Sequence, residues 1–113
     1  MYVSITGLKL KRVWHQPLFW RHAVASMTDA MAAPGNLSAE SRTIDGVHHT
    51  LSTWTSRADM LSYLRSKRHA RAMRRFDGIA TGRVCGFEAD ARPTWSQALA
   101  RYHADGRDVY RTD

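Results

Sequence analysis

The chain has 113 residues, of which 43% are apolar, with a formal net charge of +7 and a single cysteine. That length holds one domain, and the apolar content is that of a globular chain and not a disordered one. The lone Cys85 excludes an intramolecular disulfide and points to the cytoplasm, and charge interrupts every apolar run well short of the roughly 20 residues a bilayer requires, so no membrane insertion is expected.

The opening Met1-Tyr2-Val3-Ser4-Ile5-Thr6 lacks the basic stretch, apolar core and cleavage site of a signal peptide. Residues 2–10 alternate apolar and small polar side chains, which predicts a strand with Tyr2, Ser4 and Thr6 on one face and Val3 and Ile5 on the other. Pro17 suits the first turn of a helix. Residues 18–33 then carry Trp20, Ala23, Val24, Met27, Ala30 and Met31 at three- to four-residue spacing, the apolar stripe of an amphipathic helix. Pro34-Gly35-Asn36 ends it.

Residues 37–44 and 47–54 read as strands joined by Asp45-Gly46, two residues that both accept the positive φ of a tight hairpin turn. The turn sets a register. It places Ile44 opposite Val47, Thr43 opposite His48, Arg42 opposite His49, Ser41 opposite Thr50, Ala39 opposite Ser52 and Leu37 opposite Trp54. Ser56 suits the N-cap of a second helix with Asp59 in its first turn. The apolar side of that helix is Met60, Leu61, Leu64, Met73 and Phe76, with a break near Ser66-Lys67. Residues 79–89 form a fourth strand, where Gly82 and Gly86 mark bulges or close backbone approach. Pro93-Thr94 opens a short helix to about residue 104, Gly106 stops it, and the charged residues beyond are expected to fray.

The order β-α-β-β-α-β with a tail helix gives an α+β, ferredoxin-like fold: a four-stranded antiparallel sheet, both main helices on one face, and an extra C-terminal helix. The whole of 1–113 is read as one domain, with a core of about 1–90 and a helix and tail of about 91–113.

The hairpin register gathers Ala39, Ser41, Thr43, His48, Thr50, Ser52 and Trp54 on one sheet face. Small hydroxyls, one imidazole and aromatics are the usual make-up of a small-molecule site; a well-packed core, or a face turned to a partner sheet, is the other reading. His48 and His49 point to opposite faces, and no carboxylate or cysteine stands at ligand spacing, so no metal is expected. On the opposite face Arg42 and His49 pair beside Glu40, a polar network at a dimer interface or barrel interior. His22, on the first helix two residues after Trp20, is either an exposed helix histidine or a general base at a pocket rim. Cys85 reads as a buried, inert thiol. Arg65, Lys67, Arg68, Arg71, Arg74 and Arg75 form a basic cluster. Without aromatic stacking platforms or a recognition motif it reads as a solvated face or an anion-attracting rim, and nucleic acid is not the expected partner.

With this order of elements, the stretch Leu51-Ser52-Thr53-Trp54-Thr55-Ser56-Arg57-Ala58-Asp59-Met60, followed by Tyr63-Leu64-Arg65-Ser66 and His69, resembles the dimeric α/β-barrel superfamily. Within it the likeness is to the antibiotic-biosynthesis monooxygenases. Trp54, Ser56, Ser66 and His69 stand near the aromatic, Ser and His positions of those proteins, with the Ala shifted to Ala58. The resemblance extends to roughly residues 1–90 and implies a homodimer in which two sheets pair into a barrel. It also places Ser4 and Thr6 on the hydroxyl-rich face.

The function implied is a cofactor-independent monooxygenase, or a related isomerase, binding a hydrophobic or aromatic substrate, neutral or anionic, between helices and sheet. Trp20, Trp54 and Tyr63 shape the pocket, with Thr50 beside them on the floor. His48 or His69 moves protons. Thr6 and Ser52 bond substrate oxygens. In that chemistry a base removes a phenolic proton and the substrate carbanion reduces oxygen, so no cofactor is needed. The haem-degrading branch carries Asn, Trp and His where this chain has Thr6, Tyr63 and Met73, so haem degradation is not expected. Two further readings stay open: a non-catalytic ligand-binding or regulatory barrel, and a basic binder of nucleic acid or other anions.

Overall fold

The alternation of β1 (Tyr2–Leu10) decides how the sheet is used. Val3 and Ile5 are fully buried, while Tyr2, Ser4 and Thr6 on the other face are half-buried. The computed structural model describes residues 1–12, 14, 16–66, 71, 74 and 80–110. After β1 come α1 (Gln16–Ala32), β2 (Asn36–Ile44), β3 (Val47–Trp54), α2 (Arg57–Leu64), β4 (Ala80–Glu88), α3 (Trp95–Asp105) and β5 (Arg107–Tyr110). All strand pairs are antiparallel, in the order β2-β3-β1-β4-β5.

The hairpin turn is the one its residues demand. Asp45 and Gly46 take φ of 51° and 78°, the positive pair that matches the twist of the flanking strands. The expected register holds from Ile44–Val47 to Ala39–Ser52. It then breaks: Ser38 faces Thr53, Asn36 and not Leu37 faces Trp54, and Leu37 is the extra residue of a bulge. Side-chain bonds hold the bulge. The Ser38 and Thr53 hydroxyls are 2.6 Å apart, and the Asn36 amide donates to the carbonyls of Ser38 and Thr53 at 3.2 and 3.4 Å. A turn sets pairing only as far as the next irregularity, and Leu37 is left half-exposed.

Ser56 caps α2 as expected, its hydroxyl accepting from the Asp59 amide at 3.2 Å. Thr94 caps α3 in a reciprocal box with Gln97. Of the charged residues expected to fray, 111–113 lie outside the described residues. Residues 107–110 add a fifth strand to a sheet expected to have four, with Val84 opposite Arg107 and Arg83 opposite Asp108. The open backbone edge of β4 supplies the hydrogen-bonding partners, and the Arg83 guanidinium donates to the Gly106 carbonyl at 3.1 Å, fixing the turn into β5.

The registers sort the sheet into two faces. Tyr2, Ser4, Thr6, His48, Thr50, Ser52, Trp54, Val84 and Gly86 share one. As expected, α1 and α2 lie on it, through Phe19 against His48 and Tyr63 against Trp54. Val3, Ile5, Leu51 and Cys85 share the other, where Ala98 and Tyr102 of α3 complete the core.

The stripe expected on α1 is mis-centred. Phe19 and Ala30 are buried, with Ala23 and Ser26 half-buried between them, whereas Trp20, Val24 and Met31 are 43%, 61% and 61% exposed. Apolar residues lie nearly all round this helix, so spacing alone did not choose the buried side; the seating of Phe19 on His48 did. Met73, Phe76 and Ile79 lie outside the described residues.

Candidate small-molecule site

β3 lies between β2 and the central β1 and sends its even-numbered side chains beneath α1 and α2. His48 is 7% exposed. Its ring meets Phe19 edge to face at 5.3 Å between centroids and Trp20 at 4.9 Å. Its Nδ1 is buried and has no hydrogen-bond partner among the described residues. Burial holds the imidazole below its ordinary pKa of 6.5, and neighbouring His49 pushes the same way. The ring is therefore neutral at pH 7 and keeps a lone pair able to take a proton.

The other end of β3 is aromatic too. Trp54 is fully buried and stacks on Tyr63, with centroids 5.4 Å apart and planes 27° off parallel. The polar atoms here are engaged. The Trp54 indole N–H donates to the Ser52 hydroxyl at 2.9 Å, and that hydroxyl donates to the Ser4 carbonyl at 3.5 Å. Tyr63 donates to the Ser26 carbonyl of α1 at 2.9 Å. Burial, helped by the charge of Asp29, pushes its phenol up to about 12.

His48 and Trp54 are six residues apart, or about 20 Å along an extended strand. The floor between them is small and hydroxyl-bearing: Thr6 pairs with Thr50, Ser4 with Ser52 and Ser41 with Thr50. Gly86 lies beside Ser4 and is exposed, and the Tyr2 hydroxyl comes so close that a Cβ there would clash with it. This is the close approach expected of a strand glycine.

The structure thus brings Thr6, Trp20, His48, Thr50, Ser52, Trp54 and Tyr63 onto one face. His22 is half-buried one turn beyond Phe19. His69 lies outside the described residues, as do Lys67, Arg68 and Arg75 of the basic cluster; Arg65, Arg71 and Arg74 are exposed. Sequence reasoning missed Phe19, the most buried aromatic of α1 and a wall of His48. Its adjacency to Trp20 was the available signal.

His49 belongs to the opposite face. Its Nδ1–H donates to the Thr6 carbonyl at 3.2 Å, and its ring stands edge-on to Tyr102 at 5.0 Å. Burial lowers its pKa; the bond to Thr6 opposes this, and His103 adds to it. The polar network of Glu40, Arg42 and His49 finds its partners on α3 and in Arg92 just before it. Cys85 is buried, and burial raises its thiol pKa. Among the described residues no three His, Cys, Asp or Glu side chains gather as metal ligands, and no helix is long and apolar enough to cross a membrane.

No protein-family model matches this chain, and no curated protein matches it. Solved structures do. An antibiotic biosynthesis monooxygenase superposes with a TM-score of 0.72 at 12% identity, over 80% of this chain and all of its own. Rv0793 from Mycobacterium tuberculosis gives 0.72 at 13%, over 83% of this chain and all of its own. SnoaB from Streptomyces nogalater, a cofactor-independent oxygenase, gives 0.67 at 13%, over 83% of this chain and 95% of its own. Roughly a fifth of this chain lies outside these matches. At such identities the likeness is one of architecture: the chain has the fold of the antibiotic biosynthesis monooxygenases, which are dimeric ferredoxin-like α/β barrels.

Proposed function

We propose that the chain is a monooxygenase-like enzyme that takes an aromatic, weakly acidic small molecule against the α1/α2 face of its sheet. The observation that carries this reading is His48. It is a neutral imidazole with an unpartnered Nδ1 among the described residues, walled by Phe19 and Trp20. A cofactor-independent oxygenase has the same fold.

The chemistry balances without an added reductant. For a phenol such as 1-naphthol, His48 takes the phenolic proton, which loads electron density onto the para carbon. That carbon gives an electron to O2 and recombines with the reduced oxygen as a peroxide. Loss of its remaining hydrogen with the outer oxygen, and of the proton held by His48, leaves a quinone and one water. The protein positions the phenol and holds the proton. Thr6 and Thr50 supply hydroxyls for the substrate oxygens, Ser52 has its own O–H engaged by the Ser4 carbonyl, and the net charge of +7 favours the phenolate.

A second reading has one observation in its favour. The polar atoms of Ser52, Trp54 and Tyr63 are satisfied within the protein, which suits a face that binds a ligand without turning it over. Oxygen uptake with polycyclic phenols, followed by electrode, separates the two. The enzyme reading predicts uptake that falls about a hundredfold or more in His48→Gln. Phenol binding with no uptake supports the binding protein, and unchanged uptake in His48→Gln removes His48 from the chemistry.

A further inference from the structure

Helix α1 carries two parallel apolar stripes, and the fold uses one of them. Phe19, Ala23, Ser26 and Ala30 turn inward. One position further on, Trp20, Val24, Met27 and Met31 repeat the same spacing and lie about 100° round the helix. Trp20, Val24 and Met31 are 43%, 61% and 61% exposed. Trp14, just ahead of the helix, is exposed as well. Among the described residues seven large apolar side chains are exposed, and five of them fall within residues 14–31. The other face of the sheet is closed by α3, where a Cβ at Gly7 would run into the Tyr102 hydroxyl. Apolar surface gathered in one place in this way marks an interaction site.

The charge around the stripe selects the partner. Residues 1–39 hold four basic side chains, Lys9, Lys11, Arg12 and Arg21, against one acid, Asp29. All four bases are exposed. Arg21 borders the stripe on its solvent side, and the Arg12 guanidinium lies 5.6 Å over the Trp14 ring. Asp29 is on the far side of the helix from the stripe, beside Tyr63 of α2. Thr28, also on the border, donates its hydroxyl to the Val24 carbonyl at 3.1 Å and so has a partner without water. Tryptophan and aliphatic side chains flanked by arginine and lysine suit the boundary of an anionic bilayer. A second copy of this chain would bring the same excess of positive charge to the contact. With 17 residues and its inner side on the sheet, α1 lies along a bilayer and not across it.

We propose that the open stripe of α1, with Trp14 and the bases around it, docks the protein on the surface of an anionic lipid bilayer. Trp14, Trp20, Val24 and Met31 enter the headgroup layer, and Lys11, Arg12 and Arg21 meet lipid phosphates. The docking does not depend on whether His48 is catalytic.

The test is flotation of the full chain with vesicles of phosphatidylcholine containing about a quarter phosphatidylglycerol, beside vesicles of phosphatidylcholine alone. Binding to the anionic vesicles should be about tenfold or more tighter, and should weaken about tenfold between about 0.05 and 0.5 M salt. Brominated lipid should quench part of the tryptophan fluorescence. Val24→Gln with Met31→Gln leaves the net charge at +7 and alters two exposed positions. It should weaken binding about tenfold with an unchanged circular dichroism spectrum. Trp14→Gln, ahead of the helix, should weaken binding in the same direction. Absence of binding to the anionic vesicles overturns the proposal. So does undiminished binding by these variants, because charge alone is then responsible. If no vesicles bind and the double variant sediments at a lower mass than the parent chain, the stripe is a contact between copies and the proposal fails.

Discussion

The Trp20 indole and the His48 imidazole meet nearly at right angles, 80° between planes and 4.9 Å between centroids. With Phe19 on the same ring, His48 has an apolar surround in which a positive charge is poorly solvated. His49, on the opposite face, is buried too.

Acid should therefore weaken the fold through these two rings. Both have folded-state pKa values below the ordinary 6.5. Below pH 6.5 the unfolded chain binds more protons than the folded one. The stability of the neutral rings is complete above that value and is lost as pH falls through the folded-state values. Urea midpoints at pH 7.5 and 5.0 should show a drop, and His48→Gln with His49→Gln should shrink it. A midpoint unchanged between these pH values contradicts the burial of both rings.

The orientation of α1 is checked by a contrast between two residues. Phe19 is buried and Val24 is exposed. Phe19→Ala should cost about 3–5 kcal/mol, while Val24→Ala should stay within about 0.5 kcal/mol. Equal losses in denaturation would restore the stripe that spacing alone suggested.

Tyr63 ties α2 to α1 through the Ser26 carbonyl. Tyr63→Phe should lower stability by about 0.5–1.5 kcal/mol. In a spectrophotometric titration of the intact protein one phenol should ionise near pH 12, and that late step should vanish in Tyr63→Phe. If the late step persists in the variant, it belongs to another tyrosine.

Gly35 closes α1 with φ of 84° and sits against the Asp59 carboxylate, where a Cβ would clash. Its carbonyl also accepts from the Thr55 amide at 2.8 Å, joining the end of α1 to the start of α2. Gly35→Ala should cost at least about 1–2 kcal/mol from the left-handed backbone alone, read as a lowered thermal midpoint. A neutral result would mean that this junction relaxes freely.

Much of this architecture was legible in the sequence because local chemistry and tertiary demand agree. Asp45-Gly46 dictated a turn and, with it, which side chains share the face of His48. Ser56 and Thr94 marked helix starts. What was not legible depended on contacts between distant segments. The Leu37 bulge is held by hydroxyls on two strands, and β5 exists because β4 offers an edge. The covering of the second face by α3 depends on a fit to Gly7 that no periodicity announces. At the candidate site, the alignment of His48, Thr50, Ser52 and Trp54 followed from register and the place of Thr6 from the family resemblance, but the engagement of the Ser52 and Tyr63 hydroxyls needed the packed helices.

Whether the strip between His48 and Trp54 receives a small molecule is read most directly from amide chemical shifts of the protein as 1-naphthol is added. Shifts should concentrate at Thr6, Trp20, His48 and Thr50, and lose their clustering in His48→Gln. Shifts confined to α3 and β5, or none at millimolar phenol, would contradict a ligand site on this face.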